Sequence, residues 1–73
     1  MKIWSMTPQH LSTLTTAELR EFVLQAREVY RDAREKAEYD DWAYTNGRME
    51  SIRELALTIA LAKDLADKRE AAA

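Results

Sequence analysis

The sequence predicts an all-α protein in which a short N-terminal helix is followed by a long antiparallel helical hairpin. Its composition is rich in Ala, Leu, Glu and Arg, which have high helix propensity. Only one Gly and one Pro occur in 73 residues, which leaves few positions for turns. Apolar residues recur at helical spacing in two long segments on either side of Asn46-Gly47. A chain of this length is expected to form a single domain over residues 1–73.

The first helix is predicted to start at Thr7-Pro8 and to cover about residues 8–13. Thr7 is a suitable N-cap, and Pro8 is favoured at the first helical position because its missing N–H is not needed there. Met6 and Leu11 occupy the two positions of a hydrophobic staple.

The second helix is predicted to start at Thr15 and to cover about residues 16–45. Thr15 and Glu18 have the spacing of a capping box, and Leu14 and Leu19 have that of a hydrophobic staple. No helix breaker follows until Asn46-Gly47.

Asn46-Gly47 is the predicted turn, because Gly readily adopts the left-handed conformation that ends a helix and Asn tolerates it. One continuous helix that tolerates Gly47 is the alternative. The third helix is predicted to cover about residues 48–69. Basic side chains that suit the negative end of its dipole are Lys63, Lys68 and Arg69.

Both long helices have an apolar face, and the third has a second one. The stripe on the second helix consists of Leu19, Phe22, Val23, Ala26, Val29, Tyr30, Ala33, Ala37 and Tyr44. The first face of the third helix consists of Ile52, Leu55, Ala56, Ile59, Ala62 and Ala66. Its second face consists of Leu57, Leu61 and Leu65.

A two-helix hairpin can cover only one of the two faces of the third helix. The N-terminal segment could cover the other in a three-helix monomer, through Ile3, Trp4, Met6 and Leu11. A second copy could cover it by forming a four-helix bundle. We predict the second arrangement, a homodimer or higher oligomer, since small chains without disulfides or metals often gain stability by association. The predicted interface residues are Leu57, Leu61, Leu65 and Tyr30.

Charges on the second helix are segregated. Four arginines lie on one side, and an acidic stripe runs beside them. The basic members are Arg20, Arg27, Arg31 and Arg34, and the acidic members are Glu21, Glu28, Asp32 and Glu35. One interpretation is a solvated face with intersubunit ion pairs. The other is a ridge that binds phosphate, a nucleotide or the acidic surface of a partner.

Tyr39 and Trp42 lie near the predicted turn and project away from the apolar stripe. On one interpretation, both side chains pack at the end of the hairpin or in the dimer interface. On the other, they form an exposed aromatic knob that engages a target, since large amphipathic side chains dominate interface hot spots.

No catalytic or metal-binding pattern is apparent, so we predict a non-enzymatic protein without cofactor or metal. The chain has no Cys and a single His, His10, and no glycine-rich phosphate loop. Glu35 and Glu38 could share a helix face, but Glu50 and Glu54 match poorly as the second acidic pair of a cation site. The charge and length of the helices also argue against a helix-turn-helix DNA-binding domain.

Bulk properties restrict partners and location. The net charge of −2 gives no global attraction to nucleic acid or anionic membranes. The most apolar run, residues 55–62, is far shorter than the roughly 20 residues of a membrane span, and residues 1–8 lack the apolar core of a signal peptide. We expect a cytoplasmic protein.

The segment Tyr44-Thr45-Asn46-Gly47-Arg48-Met49-Glu50-Ser51-Ile52, together with a capped short helix before a helical hairpin, resembles small accessory proteins of temperate phages. The resemblance covers roughly residues 15–68 and is one of architecture. It implies a helical hairpin that dimerises and binds a host protein or, in a few cases, a nucleotide signal.

The predicted function is that of an adaptor or inhibitor that homo-oligomerises and binds another protein. The predicted partner-binding residues are Tyr39, Trp42, Arg27, Arg31 and Arg34. The alternative is a binder of a phosphate-bearing ligand, a nucleotide or nucleic acid, through the four arginines of the second helix.

Overall fold

The computed structural model describes residues 3–39 and 48–72. Three α-helices are formed by these residues: α1 (Pro8–Thr13), α2 (Thr16–Tyr39) and α3 (Arg48–Ala72). A 3₁₀ turn, Ile3–Ser5, precedes them. The predicted all-helical class is confirmed, and α3 extends past its predicted end at residue 69. Residues 40–45 of the predicted long helix and the predicted turn at Asn46-Gly47 lie outside the described residues.

Both predicted N-caps are confirmed. The backbone N–H of His10 donates to Thr7 Oγ1 over 3.2 Å, with Pro8 in the first turn of α1. At the start of α2, the N–H of Glu18 donates to Thr15 Oγ1 (3.1 Å), and the N–H of Thr15 donates to Glu18 Oε1 (3.0 Å). These reciprocal bonds satisfy N–H groups that have no partner within the helix. The start of α2 is thus fixed by local sequence.

The helices α2 and α3 pack against each other in antiparallel directions. Arg20, near the start of α2, reaches Glu70, near the end of α3, whereas Tyr30 packs against Ile52 near the start of α3. Their facing sides match the predicted stripes. The fully or almost fully buried members are Leu19, Phe22, Val23, Ala26, Ile52, Leu55, Ala62 and Ala66. Alanines on both helices allow close approach of the two backbones.

The N-terminal segment lies against the α2–α3 pair. Leu11 of α1 is buried in the main core, and Ile3, Met6 and Leu14 pack against that core. These four side chains therefore extend the core formed by α2 and α3.

A guanidinium group connects the end of α1 to the end of α3. Arg69 donates from Nη2 to the carbonyl oxygen of Ser12 (2.9 Å) and from Nη1 to that of Leu14. The last carbonyls of a helix lack intrahelical partners, so a cationic donor is well suited to satisfy them. Arg69 therefore stabilises the tertiary position of α1, a role that helix-dipole reasoning did not reveal.

Candidate functional site

The outer face of α3, the side turned away from α2, carries two exposed leucines. Leu57 is 67% exposed and Leu61 is 49% exposed. They are one helical turn apart, so they lie on one strip of the helix surface. The buried positions Ile52, Leu55 and Ala62 lie on the opposite side of α3. Two of the three leucines in the second apolar face predicted for this helix are therefore exposed to solvent.

The other two predicted interface residues have contacts within the same chain. Leu65 is half-buried and packs against the main core, and Tyr30 packs against both that core and Ile52. The guanidinium carbon of Arg34 lies 5.7 Å from the centroid of the Tyr30 ring, which is within the range of a cation–π interaction. The prediction of a self-association surface therefore depends on Leu57 and Leu61.

The N-terminal segment does not cover Leu57 and Leu61. A cleft of about 160 Å³ lies between the segment and the outer side of α3. It is lined by Ile3, Trp4, Met6, Ser51, Glu54, Leu55 and Thr58. Glu54 and Thr58 lie beside Leu57 and Leu61 on the helix surface, so the cleft borders the outer face. Trp4, 45% exposed, adds an aromatic edge to this border. The three-helix arrangement considered from sequence leaves the two leucines open.

Arg20 is engaged within the chain. Its Nη2 lies 2.8 Å from Asp67 Oδ1 and 2.8 Å from Glu70 Oε2, and its Nε donates to Glu70 Oε1 over 3.1 Å. The two-pronged contact with Glu70 matches the geometry of a guanidinium–carboxylate pair. It lowers the pKa of Glu70 and raises that of Arg20. Arg20 is therefore paired with carboxylates of the same chain. The alternative function, binding of a phosphate-bearing ligand, then depends on Arg27, Arg31 and Arg34.

The remaining arginines form what we call the basic ridge: Arg27, Arg31 and Arg34. All three are exposed, and Arg27 and Arg31 make no ion pair with any other residue in the described part of the chain. Leu24, 67% exposed, lies one turn before Arg27 and two turns before Arg31. Sequence reasoning missed Leu24, although its position off the core stripe and beside the arginines was available from the helical periodicity.

The Arg20 cluster predicts a specific pH dependence. Because the folded-state pKa of Glu70 is lowered, its stabilising effect is complete above the unfolded-state pKa and is lost as pH falls through the folded-state pKa. We expect Arg20→Met to lower Tm modestly at pH 7 and to have a smaller effect near pH 2. Thermal unfolding followed by circular dichroism at both values measures the difference.

Arg27→Met is the matched control, since it removes an exposed arginine from the same helix without removing an ion pair to a described residue. The pKa of Glu18 is also lowered, by its hydrogen bonds with Thr15, but that effect is common to all three proteins and cancels in the comparison. A Tm difference between wild type and Arg20→Met that is equal at both pH values would contradict the assignment.

Trp42 and the side chain of Tyr39 lie outside the described residues. Tyr39 is the last residue of α2, and the sequence analysis predicts it to lie near the turn between the two long helices. Their assignment to partner binding stays a prediction.

Acidic and histidine side chains do not gather into a metal site in the part of the chain that is described. Within residues 3–39 and 48–72, no three such groups lie where they could hold a metal ion together. None of the helices described combines the length and apolar content required to cross a membrane.

The fold and its surfaces define a class: a small helical protein with a buried antiparallel core, an open apolar strip on one long helix and a basic ridge on the other. Comparison of the chain with protein-family models, curated proteins and solved structures gives no match. The case for function therefore depends on the two surfaces.

Proposed function

We propose that this protein is a non-enzymatic adaptor or inhibitor that associates with a second copy of itself and binds another protein. The observation that carries the proposal is the exposure of Leu57 and Leu61 on the face of α3 opposite the core. The resemblance to small temperate-phage accessory proteins supports the same function.

Burial of the two leucines would provide a substantial driving force. A leucine side chain moved from water into an apolar interface contributes about 1.5–3 kcal/mol. In a symmetric dimer each copy buries both of its leucines, so four leucine side chains leave water. For a chain without cysteine, in which the described residues hold no metal cluster, association is an effective way to add stability.

The exposed leucine on α2 is less suitable for self-association. Leu24 is flanked by Arg27 and Arg31, so pairing of two α2 helices along this strip would bring like charges together. An acidic surface would instead be complementary to the basic ridge and could place an apolar side chain on Leu24. We therefore assign α3 to self-association and α2 to a protein partner of acidic character. Tyr39, the last residue of α2, and Trp42, three positions later in the sequence, are the further predicted contact residues.

Sedimentation velocity at micromolar concentration tests self-association. We expect the wild-type chain to sediment as a dimer or larger species, and the double variant Leu57→Glu/Leu61→Glu to sediment as a species of 8.5 kDa. Because both leucines are exposed within one copy, the helical circular dichroism signal should be retained.

Leu24→Glu is the control, since it places a glutamate on a leucine of the other helix that is as exposed as Leu57. It should leave the wild-type sedimentation unchanged. An 8.5 kDa wild-type species at all concentrations up to the millimolar range would overturn the proposal.

A further inference from the structure

We propose that two copies pair through their α3 helices in antiparallel directions, with Leu57 of each copy packed on Leu61 of the other. This inference rests on the proposed function, because it specifies the geometry of the self-association. The two-fold axis would cross the outer face of α3 at the level of residue 59, midway between the two leucines.

The outer face of α3 has the spacing of a coiled-coil seam. Exposed residues follow one another at alternating intervals of four and three positions, which keeps them on one strip of the helix. The members of this seam are Glu50, Glu54, Leu57, Leu61, Asp64 and Lys68. Its centre is apolar and both ends are charged, so the leucines provide the burial and the charges can select the direction and register.

The leucines select the register. An antiparallel pair centred at the level of residue 59 places Leu57 opposite Leu61 of the second copy, and Leu61 opposite Leu57. A shift of one turn in one direction places Leu57 opposite its own equivalent and Leu61 opposite Arg53, which is charged. A shift in the other direction places Leu61 opposite its own equivalent and Leu57 opposite Leu65, which is half-buried against the core of its own copy. Only the centred register pairs each exposed leucine with another exposed leucine.

The charges select the direction. In a parallel pair, each seam residue would face its own equivalent, so Glu50, Glu54, Asp64 and Lys68 would each face a like charge. In the antiparallel pair, Glu50 faces Lys68 of the second copy at both ends of the seam. Complementary pairs of this kind set the orientation of paired helices.

The antiparallel pair keeps two equivalent like-charged layers, in each of which Glu54 of one copy faces Asp64 of the other. Asp64 already has a cationic neighbour, because its Oδ2 lies 2.9 Å from Lys68 Nζ in the same helix. Arg53 lies next to Glu54 along the chain and is exposed. These two cations weaken the repulsion, and two like-charged layers are fewer than the four of a parallel pair, so the antiparallel arrangement remains the favoured one.

Cysteine cross-linking in the full-length chain tests this geometry. The chain has no cysteine, so Glu50→Cys and Lys68→Cys each introduce a single thiol. The two positions are about 27 Å apart along one helix, too far for a disulfide within one copy. Under mild oxidation, we expect an equimolar mixture of the two variants to form covalent dimers at least fivefold more efficiently than either variant alone.

Lys63→Cys is the control, since Lys63 is exposed on α3 but outside the seam. Mixed with Glu50→Cys, it should give only the background level of cross-linking. Circular dichroism and sedimentation of each reduced variant establish that it is folded and associated before oxidation.

Two outcomes would overturn the inference while leaving self-association intact. Efficient cross-linking of Glu50→Cys with itself would indicate a parallel pair, and an associated protein that gives no cross-link in any combination would indicate another interface. A wild-type chain that sediments only as a monomer would overturn both the inference and the proposed function.

Discussion

Phe22→Ala should destabilise the protein by about 3–5 kcal/mol, the cost of removing a large side chain from a tightly packed core. Phe22 is completely buried and packs in the main core between α2, α3 and the N-terminal segment. A domain of this size has a free energy of unfolding of roughly 4–11 kcal/mol. The variant should therefore be partly or fully unfolded at room temperature. Urea denaturation followed by circular dichroism measures the loss.

Leu24→Ala on the same helix is the matched control. It also removes an apolar side chain, but one that is 67% exposed, so the expected change is within about 0.5 kcal/mol. Equal destabilisation by the two variants would show that α2 does not face α3 through Phe22. If self-association contributes to stability, both measurements should be made at the same protein concentration.

Local signals in the sequence predicted the helix starts and the core. The capping box at Thr15 and Glu18 depends on residues three positions apart, so its geometry is set once a helix forms. Helical periodicity placed Leu19 and Phe22 on one stripe, and both are buried. These features need no knowledge of the tertiary arrangement.

Contacts between distant segments could not be predicted in the same way. Arg20 and Arg69 both lie near other charged residues in sequence, and either could have been a solvated side chain. Their partners are 47 to 57 residues away, and they meet only because α2 and α3 are antiparallel and α1 folds back on the end of α3. The basic stripe on α2 was predicted from the sequence. The ion pairs that engage Arg20, and none of the other three arginines, with the end of α3 depend on this packing.

The second apolar face of α3 was also predictable only in part. Periodicity grouped Leu57, Leu61 and Leu65, but it could not show that the N-terminal segment lies to one side of them. The segment lines one side of the cleft, and Glu54 and Thr58 of α3 line the other. Leu65 is half-buried against the core. The position of a short non-repetitive segment depends on tertiary contacts such as those of Leu11 and Arg69, which have no local sequence pattern.

Arg69→Met should destabilise the protein by about 1.5–3 kcal/mol, the contribution expected for hydrogen bonds from a charged donor. Methionine retains much of the apolar stem but removes the donors to the carbonyl oxygens of Ser12 and Leu14. Those carbonyls would then depend on water for their hydrogen bonds. Because α1 is short, we expect its amide protons to lose hydrogen-exchange protection before those of α2 and α3.

Lys63→Met is the matched control, since Lys63 is an exposed basic residue of α3 that lies outside the seam and forms no ion pair with a described residue. Loss of this exposed side chain should change the free energy of unfolding by less than about 0.5 kcal/mol. Arg69→Lys separates charge from geometry, because one ammonium group cannot reproduce the planar fork that reaches both carbonyls. We expect it to recover little of the lost stability. Full recovery in Arg69→Lys would show that a positive charge near the end of α3, rather than the fork that connects it to α1, stabilises the fold.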